Sequence, residues 1–165
     1  ESAAAVAEEI GRASYRRASR TSISGALAFA KPLFDNSGYH GIRRVIDISG
    51  DGPNNQGALV APTRDNVVAA GITINGPPTV LKRARWSMMD IENLDVYYED
   101  CVIGGPGAFV VPIVDRAKFK EATRHKLVQE VAGLMPQPKV IRVSGDKPRV
   151  DCAIGEKLWQ QRWGN

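Results

Sequence analysis

Two cysteines, two histidines and 7% aromatic residues leave this 165-residue sequence poor in the side chains that most often carry chemistry. No CxxC pair occurs, which removes the usual zinc and dithiol motifs. His40 falls in a glycine-rich turn and His125 in a helical pattern, so each reads as a surface or boundary residue and not as part of a metal or nucleophilic site. Net charge is also small. The 22 basic and 18 acidic residues give +4, which does not argue for nucleic-acid binding without a concentrated patch. No apolar run is long enough to span a bilayer, no signal-like apolar core is present, and there is no internal repeat or low-complexity linker. The chain begins at Glu1 without an initiator methionine, and the expectation is a processed chain or a fragment.

What is present is ordinary globular composition, 43% hydrophobic and 24% charged, enough for one domain with a real core. The economical division is a domain over residues 1–133 and a C-terminal extension over 134–165. The extension holds Lys139, Arg142, Lys147, Arg149, Lys157 and Arg162 against Asp146, Asp151 and Glu156, so most of the net charge lies there. Two of the three tryptophans, Trp159 and Trp163, lie there too. Such a segment either docks on the domain or presents an aromatic and basic surface to a partner. Cys101 and Cys152 permit one disulfide and equally suit two reduced, buried thiols.

The stretch around which the chain is organised runs from Arg43 to Gly57. Val45, Ile46 and Ile48 have the β-branched composition of a buried strand, which stops at Gly50-Asp51-Gly52-Pro53. Asp51 therefore stands at a strand's carboxyl end, where open α/β sheets bind ligands. Ser49, Asn54 and Asn55 add hydroxyl and amide groups, making this turn a candidate ion or polar-ligand site. A plain Asp-Gly turn uses the same residues.

Taken in order, residues 2–17 read as an alanine-rich helix ending in a basic patch at Arg12, Arg16, Arg17 and Arg20. A second helix carries Ile23, Ala26, Leu27 and Ala30, with Thr21 or Ser22 at its N-cap, and ends at residues 35–38. After the central strand, residues 58–70 suit a helix interrupted near Pro62, and residues 71–76 a short strand. Strand, helix and strand with short links predict a parallel crossover. Residues 81–86 read as a loop. Ile91, Leu94, Tyr97 and Tyr98 form a helical stripe. The Gly104-Gly105-Pro106-Gly107 cluster lacks the lysine and hydroxyl of a phosphate loop. Residues 108–113 read as a further strand, at an edge because of Pro112. Asp115 caps a helix over 116–132 that closes at Gly133 and Pro136. In the tail, residues 139–143 read as a strand, 145–148 as a turn and 156–163 as a helix.

Thr21-Ser22-Ile23-Ser24-Gly25-Ala26-Leu27, Val45-Ile46-Asp47-Ile48-Ser49-Gly50-Asp51-Gly52-Pro53-Asn54-Asn55, Gly71-Ile72-Thr73-Ile74-Asn75-Gly76, Tyr97-Tyr98 and Cys101-Val102-Ile103-Gly104-Gly105-Pro106-Gly107-Ala108-Phe109 resemble, in this order, a bacterial branch of the von Willebrand factor A-like domains. The resemblance covers residues 1–133. It implies an α/β fold: a doubly wound, mostly parallel sheet with helices on both faces, here lacking its N-terminal strands. It also implies a metal-ion-dependent adhesion site in which Thr21 and Asp51 match the family's threonine and last aspartate. Magnesium suits such oxygen ligands. The family's D-x-S-x-S motif is missing, although Asp47-Ile48-Ser49-Gly50-Asp51 comes close to it out of order.

The expected function is a non-catalytic protein-binding module or assembly subunit. Its partner would be another protein chain supplying the missing N-terminal part and completing the cation site. Family-style export implies a periplasmic or secreted protein in which Cys101 and Cys152 bridge. The alternative is a metal-dependent hydrolase or phosphoryl-transfer enzyme using Asp47 and Asp51.

Overall fold

Val45, Ile46 and Asp47 form strand β1 (Val45–Asp47), and Thr73, Ile74 and Asn75 form β2 (Thr73–Asn75). The computed structural model describes residues 2–15, 18–80, 90–131 and 148–164. β1 and β2 pair in parallel, with Val45 beside Thr73, Ile46 beside Ile74 and Asp47 beside Asn75. The same register continues to a bridge between Gly50 and Pro78, where the Thr79 amide donates to the Gly50 carbonyl at 2.8 Å. On the far side of β2, residues 109–113 run parallel through bridges from Gly76 to Val110 and from Thr79 to Ile113. Pro112 stands between the bridged residues, where its missing N–H costs no ladder bond. The chain is thus a mixed α/β unit built on a small parallel sheet.

The connection from β1 to β2 is helix α4 (Val60–Ala69). The sequence pattern placed an interruption near Pro62, but the helix runs through it. Pro62 lies in the first turn, where an N–H has no intrahelical acceptor to lose. Before β1 come α1 (Ala3–Arg12), α2 (Ile23–Ala30) and the short α3 (Leu33–Asn36). Helix α1 stops well short of residue 17 and buries no residue, leaving Val6 and Ile10 exposed. After β2, α5 (Leu94–Tyr97) widens into a π turn (Tyr98–Val102). A 3-10 turn (Arg116–Lys118) leads into α6 (Phe119–Val131). Asp115 caps that turn as expected, its carboxylate accepting from the Ala117 amide at 2.9 Å. The last helix, α7 (Ile154–Trp163), starts two residues earlier than its sequence pattern suggested.

Alternation along β1 sends Ile46 and Ile48 to one face and Asp47 to the other. Ile46, Ile48 and Ile74 join Ile23 and Leu27 of α2, Val60 and Val67 of α4, and Leu94, Tyr97, Tyr98, Cys101 and Val102 in one core. On the Asp47 face, Lys126 of α6 is 4% exposed, pairs with the Asp47 carboxylate and lies 5.8 Å from the Phe109 ring centroid. Asp47 therefore spends its charge on a buried lysine. Among the described residues β2 is the sole strand beside β1.

Arg16 and Arg17, the loop expected at 81–86, the close of α6 at Gly133 and Pro136, and the strand expected at 139–143 with most of the following turn lie outside the described residues. Among the described residues no helix is long and apolar enough to cross a membrane.

Candidate functional site

The carboxyl end of β1 is held by a reciprocal set of hydrogen bonds between the Asn54-Asn55 loop and the start of α2. The Thr21 amide donates to Asn55 Oδ1 at 2.8 Å, and the Asn55 amide returns a bond to the Thr21 carbonyl at 2.9 Å. One turn on, the Ser24 amide donates to Asn54 Oδ1 at 3.0 Å. The Ser22 hydroxyl donates to the Gln56 carbonyl at 3.0 Å and accepts from the Gly25 amide at 3.2 Å, so Ser22 and not Thr21 is the N-cap of α2. In the first turn of α2, whose amides have no intrahelical acceptor, Ser24 is thus satisfied by Asn54, 30 residues away, and Gly25 by Ser22, while Asn55 satisfies the Thr21 amide just ahead of the helix.

Asn54 is fully buried and its amide nitrogen donates to the Ala58 carbonyl at 3.1 Å and to Glu156 Oε1 at 2.6 Å. Its backbone amide donates to the Tyr97 hydroxyl at 3.1 Å. Burial pushes the Tyr97 phenol up, against the lowering effect of that bond. Tyr98 lies beneath Gly50: a Cβ on Gly50 would stand 2.6 Å from the Tyr98 hydroxyl oxygen. Burial pushes the Tyr98 phenol up as well, with smaller contributions from Tyr97 and Asp51. Tyr98 keeps its proton and its hydroxyl has no hydrogen-bond partner among the described residues.

The residues singled out from the sequence thus separate into two groups. Thr21, Asp51, Ser49, Asn54 and Asn55 come to one edge, but the two asparagines are structural, buried and directed inward. Asp51 and Ser49 are exposed, and Thr21 is half-buried with its hydroxyl oxygen 4.0 Å from where a Cβ on Gly52 would stand. The Ser49 hydroxyl donates to the Pro77 carbonyl at 3.1 Å. Thr21 and Asp51 offer two oxygen ligands, whereas magnesium takes six in near-ideal octahedral geometry. Among the described residues no three histidine, cysteine, aspartate or glutamate side chains gather in a metal-holding group. This ligand set does not make a magnesium cage by itself.

Cys101 and Cys152 are joined in a disulfide. Beside it, Arg149 binds the Asp100 carboxylate through its guanidinium at 2.6 Å and its backbone amide at 2.7 Å, and reaches Glu99 at 2.6 Å. Burial works against the Asp100 carboxylate, yet the bonds and charge of Arg149, with help from Arg64, outweigh it and hold the carboxyl below its usual range. The sequence reading missed Glu156, Tyr97 and Lys126 as partners in these networks. Only the tyrosine stripe carried a signal, and it signalled core.

No curated protein and no solved structure matches this sequence. A family model described as "Protein of unknown function (DUF1194)" matches residues 1–135, a span that ends before the described tail residues 148–164. With most of its length inside that match, the chain belongs to the DUF1194 family.

Proposed function

We propose that this chain is a non-catalytic protein-binding module of von Willebrand factor A-like architecture, acting through the edge that carries Thr21, Ser49 and Asp51. The observation that carries the reading is the reciprocal clamp of Asn54 and Asn55 on Thr21 and Ser24. It fixes a polar edge while leaving Asp51 and Ser49 at the surface, and a preorganised polar surface binds without a large ordering cost. The parallel sheet with helices packed on the Ile46 face and Lys126 reaching the Asp47 face supports a doubly wound arrangement in which another polypeptide continues the sheet beside β1. Exposed Phe29, Leu33, Tyr39 and Ile42, on the helices and loop leading to β1, favour an apolar neighbour there. Magnesium enters only when that neighbour contributes further oxygen ligands. The Cys101–Cys152 disulfide favours an oxidising compartment, so the module is assigned to the periplasm or the outside of the cell.

The test is the mass and composition of the particle purified from cells that make it, with and without magnesium. A second polypeptide in fixed ratio is expected, held less tightly after Asp51→Ala or Thr21→Ala. Calorimetry on the chain alone is expected to show little or no magnesium binding. A monodisperse, cooperatively folded monomer overturns the reading. So does phosphoester hydrolysis that Asp51→Ala abolishes.

A further inference from the structure

Helix α7 lies directly on the loop that builds the edge. Gly155 is buried, and a Cβ there would stand 2.0 Å from the Asn54 carbonyl oxygen and 3.1 Å from Pro53 Cγ. Only glycine lets the helix backbone seat so closely. The next residue, Glu156, accepts the Asn54 side-chain bond through Oε1, while its Oε2 is buried without a hydrogen-bond partner among the described residues. A turn further on, Trp159 carries the Arg20 guanidinium 3.8 Å from its ring centroid and stacks on Trp163 at 4.2 Å. Arg20 immediately precedes Thr21. Upstream, the tail is fastened by the Cys152 disulfide and by Arg149 on Asp100 and Glu99. Covalent, ionic and aromatic contacts therefore converge on one placement of α7.

We propose that α7 is a positioning clamp for the edge, holding the Pro53-Asn54-Asn55 loop and the start of α2 in the arrangement that presents Thr21 and Asp51. Glu156 acts through Asn54, and Asn54 acts through the Ser24 amide; neither touches a ligand. The tail is accordingly part of the binding edge and not a separate partner-seeking arm. The clamp's purpose rests on the function proposed above, but its existence is read without any partner.

Hydrogen exchange measured on the full chain by mass spectrometry tests it. Glu156→Ala is expected to speed exchange at least tenfold in segments 21–26 and 53–57, with β2 and α4 unchanged, and Glu156→Gln, which keeps the accepting oxygen, is expected to restore protection. Gly155→Val should act like Glu156→Ala by pushing the helix off the loop. Unchanged exchange in 21–26 and 53–57 for both variants overturns the clamp. A uniform rise that includes β2 and α4 also overturns it, because it reports global loss of stability. Failure to find a partner, with the local response intact, overturns the proposed function and leaves the clamp standing.

Discussion

Asn54 has every polar group of its side chain engaged, in a position with no exposure to water. Asn54→Ala would leave the buried Ser24 amide and the half-buried Glu156 carboxylate without these partners. The expected cost is about 3 kcal/mol, since each stranded buried group costs about 1–3 kcal/mol. Urea denaturation checks this, with a lower midpoint and an unchanged slope. Gly50 is constrained differently. Gly50→Ala would drive a methyl group into the Tyr98 hydroxyl, and because that ring is wedged in the core it has little room to yield. A loss of about 1–3 kcal/mol is expected in the same measurement. The sequence marked Gly50 and Asn54 as turn residues; Gly50 instead carries the parallel register on to Pro78 and Asn54 lies in the loop beyond it, and no local pattern says why these two residues stand there. That reason lies in Tyr97, Tyr98 and Glu156, and no spacing rule links those positions to residue 54.

At the scale of elements, periodicity located the helices and strands that bury an apolar face. Helices α2 and α4 and strands β1 and β2 follow the pattern because Leu27, Val60, Val67, Ile46 and Ile74 all point into one core. The attachment of the tail was not legible. It rests on Arg149, whose pairing with Asp100 depends on two segments about 50 residues apart meeting at the π turn. Its pH dependence follows from the depressed Asp100 carboxyl. A lowered folded pKa stabilises the folded state above the unfolded value of about 3.9 and is lost as pH falls through the folded value. Asp151 behaves in the same sense, held down first by its bond from Lys157 and then by the Ala153 amide. The tail attachment is therefore expected to weaken below about pH 4 and to be insensitive to pH between about 5 and 8. Arg149→Ala should return the Asp100 titration towards its ordinary range, as followed by carboxyl NMR. The stability cost is expected to be about 1 kcal/mol or less because Arg149 is largely in water.

For the molecule as a whole, the disulfide matters more than any ion pair. It joins residues 51 apart, and in the chain-entropy model a loop of that size stabilises by about 4 kcal/mol. Reduction, or replacement of both cysteines by serine, is expected to lower the denaturation midpoint accordingly. The charged and aromatic contacts of α7 would remain as its attachment. An equal midpoint with and without reductant would overturn this expectation.

The bond from Asn54 to Glu156 spans 102 residues, which gives it a consequence in time. A chain made from its N-terminus at roughly 5–20 residues per second presents Asn54 about 5–20 s before Glu156 exists to receive its bond. During that interval β1, α2 and the asparagine loop are all available, and the helix that will cover Pro53 is not. The order of synthesis thus leaves the seating of α7 on Pro53 and Asn54 as the last contact that can form at this edge.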